Sequence, residues 1–133
     1  LNLEKDIIFL NFVDDADLPF LYLNSIALTM PTFSGPTNIP PWEAFKMGIP
    51  AIYSDIFGIR EVYKEAIYYI DPFNSKTMVK AVNDIMENPE VKKRLIDNGK
   101  KLLKENNFDK DVEQILNIVE KNSKIKNSWL FKN

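Results

Sequence analysis

Residues 26–55, IALTMPTFSGPTNIPPWEAFKMGIPAIYSD, decide the fold. Ile26 to Met30 is an apolar run stopped at Pro31, and the spacing predicts a buried strand. Residues 32–41 are rich in Gly, Pro, Thr and Asn and read as a loop. Trp42 to Met47 then reads as a short helix closed by Gly48, the residue type that best tolerates the left-handed turn after a helix. Pro50 restarts the chain, and Ala51-Ile52-Tyr53 reads as the next strand. Upstream, Ile7-Ile8-Phe9-Leu10 sits between charged residues and is predicted as a further buried strand. Asp17 is expected to cap a helix over Leu18, Leu21 and Tyr22 that ends near Asn24-Ser25. Downstream, Asp55 to Gly58 is a loop, Ile59 to Lys64 a helical turn or two, and Ala66 to Ile70 a fourth strand ended by Asp71-Pro72. From Ser75 the pattern is helical, with Asn74 or Ser75 as cap and Met78, Val82, Ile85 and Met86 on one stripe. Asn88-Pro89 breaks it. Val91, Leu95 and Leu102 mark a second long helix, and Asp109 opens a third with Val112, Ile115, Leu116 and Val119 expected inward. Near-continuously apolar strands alternating with helices imply an α/β protein: about four parallel strands, with helices on both faces. In such sheets ligands bind beyond the carboxyl ends of the strands.

The composition fits one globular unit of ordinary domain size: 133 residues, 45% hydrophobic and 27% charged. The chain has no cysteine and no histidine. Thiolate metal sites, Ser-His-Asp triads and Cys-His pairs are therefore excluded within it. Charge is uneven: residues 1–61 hold eight acids and three bases, residues 62–133 eleven acids and fourteen bases. With a sequence pI near 5.2, the basic runs read as solvated helix faces, not as a nucleic-acid surface. No apolar run approaches the roughly 18 residues of a spanning helix, and the N-terminus lacks the order of a signal peptide. Cytoplasm is the default expectation. The lysines of the tail, Lys121, Lys124, Lys126 and Lys132, add a weak attraction to an anionic membrane surface, hence an expectation of peripheral contact with its inner face. That tail, residues 121–133, is expected to be disordered or to dock.

The densest chemistry is Gly35 to Ala44, directly after the second strand of the chain, Ile26 to Met30. Gly35 permits close backbone approach by a ligand, and Thr37 or Asn38 can cap the helix that follows. Pro40 and Pro41 suit a first turn. A helix beginning here is expected to present free N–H groups and a positive dipole end, a natural phosphate site. Glu43, one turn in, can accept hydrogen bonds from the vicinal hydroxyls of a ribose. The same residues can instead be turn punctuation with a first-turn dipole partner, and both readings stand at this level. Trp42, Tyr53, Tyr68 and Tyr69 read as packing residues, Asp55 as a cap or a site neighbour, Glu61 as a cap or ion-pair partner, and Arg60 as an exposed cation.

In order and spacing, Phe9-Leu10-Asn11-Phe12-Val13, Asp17-Leu18-Pro19, Pro31, Pro40-Pro41-Trp42-Glu43-Ala44, Gly48-Ile49-Pro50, Ser54-Asp55, Gly58-Ile59-Arg60-Glu61-Val62 and Asp71-Pro72 resemble one known domain. It is the C-terminal nucleotide-sugar domain of GT-B glycosyltransferases of the retaining family 4 type, the group 1 glycosyltransferases. The resemblance covers residues 7–120. It implies a Rossmann-like sheet, a partial donor-binding domain over 1–120, and a basic tail beyond it. It also implies that Glu43, which ends the family's E-x7-E element, binds the donor ribose. The first Glu of that element falls on Gly35, so the chain resembles the variant branch reading G-P-T-N-[IL]-P-P-x-E of polysaccharide-assembly enzymes. By the same resemblance, Pro36, Thr37, Asn38 and Ile39 face the donor phosphate and sugar through their main chain. Phe12 and Val13 lie beside the base. No metal, cofactor or catalytic side chain is implied.

The complete domain of this family has six strands in the order 3-2-1-4-5-6. The resemblance implies that this chain lacks the first two of them, the Arg and Lys that grip the diphosphate, and the acceptor-binding N-terminal domain. Three expectations follow. The chain is part of a retaining transferase that moves a hexose from a nucleotide diphosphate sugar to a polysaccharide or lipid-linked glycan, and is inactive alone. Or it is a subunit completed by a partner chain. Or it is a non-catalytic remnant that binds a nucleotide or a protein. With a gap where strands are missing, the isolated chain is expected to rearrange, self-associate or be marginal.

Overall fold

The computed structural model describes residues 3–35, 38–106 and 108–130. Three strands, β1 (Leu28–Met30), β2 (Ala51–Ser54) and β3 (Ile67–Ile70), form one parallel sheet in the order β1-β2-β3. Leu28 pairs with Ala51, and Ala51 with Ile67. The α/β expectation therefore holds, with three strands among the described residues where about four were anticipated. Ile7 to Leu10 forms no strand: its four side chains are 49–86% exposed. A strand exists only through its ladder, and no described strand lies beside this run.

The central strand explains the layering. All four residues of β2 are buried, and their side chains alternate between two cores. Ala51 and Tyr53 join Ala44 and Phe45 of α2 (Pro40–Met47), Ile59 and Tyr63 of α3 (Ile59–Tyr63), and Leu102 of α5 (Pro89–Glu105). Ile52 joins Ile70, Ala81 and Ile85 of α4 (Ser75–Glu87), and Leu95 of α5. One helix thus serves both cores. Two of its contacts fall on the segments that enter the strands: Asn98 Nδ2 donates to the Glu65 carbonyl just before β3, and Lys100 lies against Gly48 just before β2. The opposite, carboxyl ends of β2 and β3 border a cleft lined by Phe33, Asp55, Tyr69 and Phe73.

Local chemistry sets the boundaries. Gly48 closes α2 at φ +72°, and Asn74 caps α4 by accepting from the Lys76 N–H. Asn88 ends α4 and starts α5: its N–H donates to the Asp84 carbonyl while its side-chain oxygen accepts from Glu90 and Val91 N–H. Upstream, α1 (Leu18–Leu23) follows Asp17, which makes no side-chain cap bond. In α4, Ile85 is buried beside Ala81, and Met78 and Val82 pack against the same core, as expected; of the stripe Met86 alone, 59% exposed, turns away. The last helix, α6 (Phe108–Leu130), takes in residues 121–130 of the segment expected to be a tail, whose last three residues lie outside the described ones. Val112, Ile115, Leu116 and Val119, expected inward, are 54–60% exposed. An amphipathic period states that a face is apolar; it does not supply the surface that covers it. Among the described residues, no helix is long and apolar enough to cross a membrane.

Candidate functional site

The loop from β1 to α2 leaves the carboxyl end of the sheet. Thr32 Oγ1 donates to the Ser34 carbonyl at 2.7 Å and shapes its first turn. Gly35 follows at φ +90°, a conformation that favours glycine, and a Cβ there would also crowd the Asn38 side-chain amide at 3.0 Å. The far side of the loop is tied down from below. Tyr53 Oη, rising from β2, donates to the Gly35 carbonyl at 2.5 Å and accepts from Asn38 Nδ2. Tyr63 Oη, from α3, donates to the Asn38 carbonyl at 2.6 Å. Both rings are fully buried and stack with Trp42 and Phe45 in one aromatic cluster. Burial pushes both phenols above their ordinary pKa. Pro36 and Thr37 lie outside the described residues. Asn38, expected as a helix cap, spends its side chain on Tyr53, and the capping position falls to Ile39 without a side-chain bond.

The first turn of α2 departs from the expected anion site. Pro40 and Pro41 have no N–H to give. The next two amides, Trp42 and Glu43, both donate back to the Ile39 carbonyl, at 2.9 and 3.3 Å. The turn therefore offers an incoming phosphate no amide from 40 to 43. Any main-chain donor must come from the loop before it.

Glu43 faces α1. Its Oε2 accepts from Tyr22 Oη at 2.8 Å. The pair lines a cavity of about 290 Å³ with Asp15, Leu18, Pro19, Lys46 and Met47. Burial, then the bond to Glu43, pushes the Tyr22 phenol well above its ordinary pKa, so the hydroxyl stays a donor at neutral pH. One carboxylate oxygen is thereby held, and an ionised carboxylate keeps further lone pairs with which to accept from sugar hydroxyls. Phe12 and Val13 line a different cleft, with Leu10, Asp14, Asp17, Phe20 and Leu21. The two clefts share no residue. The structure thus gathers Gly35 and Asn38 on two tyrosines and Glu43 on a third, and it keeps Phe12 and Val13 apart from Glu43.

At the ends of β2 and β3, Arg60 makes a two-pronged contact with Asp55, at 2.8 and 2.6 Å, and lies 4.4 Å over the Tyr69 ring. Asp55 is thus Arg60's partner, and the residue before α3 is Gly58 at φ +82°. Asp55 and Tyr69 border a cleft of about 410 Å³ whose rim carries Phe33 and Phe73, ring centroids 5.2 Å apart. Sequence alone reads Tyr53, Tyr68 and Tyr69 as packing residues and singles out neither the Tyr22 nor the Tyr63 hydroxyl. Nothing in the local pattern distinguishes a tyrosine whose hydroxyl reaches a distant loop from one that only fills space.

The chain matches the family described as Glycosyl transferases group 1 across residues 1–102. The O-antigen chain mannosyltransferase RfbU of Salmonella typhimurium is 32% identical over 90 residues, 68% of this chain and 26% of the relative. The O-antigen chain mannosyltransferase B of Escherichia coli is 33% identical over 64 residues, 48% of this chain and 17% of that protein. An uncharacterized glycosyltransferase of Methanocaldococcus jannaschii is 24% identical over 103 residues, 76% of this chain and 26% of that protein. The chain spans about a quarter, or less, of the length of these curated relatives.

Proposed function

The chain belongs to the family of glycosyl transferases group 1, and on that premise we propose that it is the nucleotide-sugar-binding part of a retaining glycosyltransferase of GT-B fold and family 4 type. Its donor is a nucleotide diphosphate hexose. The names of two relatives favour mannose as the sugar and a growing polysaccharide as the acceptor. The acceptor is held by parts of the protein outside residues 1–133, the isolated chain transfers no sugar, and the work is done in the cytoplasm, at or near the inner face of the membrane.

The observation that carries this reading is the Glu43 carboxylate, fixed by Tyr22 in a cavity between α1 and α2. In the proposed complex it accepts from the two ribose hydroxyls. The main chain from Gly35 to Ile39 lies along the diphosphate and the sugar. Phe12 and Val13 stay candidates for the base end only if α1 and the segment before it shift on binding, since they border a separate cleft. Catalysis on this reading is positional and electrostatic, the protein holding the leaving diphosphate while its own side chains form no bond to the sugar.

The test is titration with GDP-mannose and UDP-glucose of the chain and of Glu43→Gln. A hydrogen bond to a charged carboxylate contributes about 1.5–3 kcal/mol, so the substitution is expected to weaken donor binding at least tenfold. Equal affinity of the two proteins would reduce Glu43 to a helix-end residue and remove the basis of the proposal.

A further inference from the structure

The head of α2 poses a problem for an anionic ligand, because Pro40, Pro41, Trp42 and Glu43 have no N–H to spare. The loop before it solves the problem through the geometry of one peptide. In a trans peptide the carbonyl and the following N–H point in opposite directions, and no described peptide bond is cis. The Asn38 carbonyl points down into the core, onto the buried Tyr63 hydroxyl at 2.6 Å. The N–H of Ile39 must therefore point up, away from the core. Ile39 itself is 69% exposed. Tyr53 repeats the capture one step earlier, drawing in the Gly35 carbonyl and receiving the Asn38 side chain.

We propose that Tyr63, supported by Tyr53, is a positioning residue of the donor site: by holding the Asn38 carbonyl inward it aims the Ile39 N–H at the donor's diphosphate. The inference rests on the donor-binding reading above and adds to it the two residues that shape the loop. Two tyrosines suit the task because the ring is anchored in the aromatic cluster while the hydroxyl alone reaches the loop. Removing the hydroxyl leaves the ring packing in place and frees the peptide to turn.

The experiment uses the 15N-labelled chain titrated with GDP-mannose to millimolar concentration and followed by amide resonances. In the parent sequence the Ile39 amide is expected to move in a saturable way. In Tyr63→Phe, the loss of one hydrogen bond should cost about tenfold in affinity and should abolish or reverse the Ile39 shift. Tyr53→Phe, which leaves the bond to the Asn38 carbonyl intact, should weaken binding less and keep the Ile39 response. It also serves as the second variant if Tyr63→Phe does not fold, since a Tyr53→Phe protein that bound as the parent does, with an unchanged Ile39 response, would count against the support assigned to Tyr53. A purely structural role predicts a different result: a lower melting temperature for Tyr63→Phe with donor affinity and Ile39 shift unchanged, which overturns the inference. If the parent chain gives no saturable shift at Ile39 or Glu43, the donor reading fails and the inference with it. If Glu43→Gln weakens binding while Tyr63→Phe does not, the inference alone fails.

Discussion

Lys64 holds the backbone at φ 49° and ψ −125°, the geometry of a tight turn position that glycine fills without cost. It is the single non-glycine residue with positive φ among those described. The turn is held by Tyr69 Oη, which donates to the Lys64 carbonyl at 2.6 Å. Relief of such strain is worth about 1–3 kcal/mol, against about 0.5–1 kcal/mol for the extra chain entropy of glycine. Lys64→Gly is therefore expected to stabilise the fold by about 1 kcal/mol net, since the exposed Lys64–Glu105 pair it deletes contributes little. A thermal melt no higher than the parent's would show that the turn is not strained. At this scale the sequence was informative where a residue's own type limits its backbone. Gly35 and Gly48 were legible for that reason, and Glu43 was legible as a carboxylate near a helix head. Tyr22, Tyr53 and Tyr63 were not: their hydroxyl partners lie 21, 18 and 25 residues away along the chain. Such reach is a product of the fold, and no local spacing encodes it.

Helices α4 and α5 were legible because each carries both a cap and a period: Asn74 and Asn88 bind the first amides, and Ile85 and Leu95 recur inward. What was not legible is how closely α5 approaches α2. Gly99 is buried where α5 crosses α2, and a Cβ there would lie 2.6 Å from the Phe45 ring and 3.2 Å from its Cβ. Phe45 cannot retreat, being packed edge-on against Trp42 and Tyr63. Helix propensity alone would make Gly99→Ala stabilising by about 1 kcal/mol. Overpacking costs about 1–3 kcal/mol and acts in the other direction. The contact distance decides between them, so Gly99→Ala is expected to destabilise the chain by about 1–2 kcal/mol. Chemical denaturation would read this as a lower midpoint; a higher one would mean that α5 can move away from α2. The strand read at Ile7 to Leu10 and the inward face read on α6 failed for one reason. Both are apolar patterns, and an apolar pattern becomes an element or a core only if the neighbour that completes it is present.

Across the molecule, the four tyrosines with raised pKa values all belong to or pack against a single core, the one that α2, α3 and α5 build on one face of the sheet. Burial is the leading cause at each, and Tyr69 is pushed up to about 12. The sign of the effect on stability follows from proton affinity. The folded chain binds these phenolic protons more tightly than the unfolded chain does, so their contribution is fully present below the unfolded pKa of about 10 and is lost as pH rises through the folded values. Each tyrosine that stays protonated while its unfolded counterpart ionises removes up to about 1.4 kcal/mol for every pH unit above 10. On the α4 side of the sheet Tyr68 donates to Asp84, whose carboxyl is held below its ordinary range first by the Lys80 ammonium and then by that hydroxyl. Alkali should therefore open the molecule from the face that carries Tyr53, Tyr63 and the loop they hold. Melting temperatures are expected to be level up to about pH 9 and to fall steeply above pH 10. Over the same range the ultraviolet tyrosinate signal of the folded chain should lag that of the denatured chain. If the tyrosines of the folded chain titrate together with those of the denatured chain, their hydroxyls are in water and not in the loop. In that case neither the alkaline instability nor the positioning assigned to Tyr63 would stand.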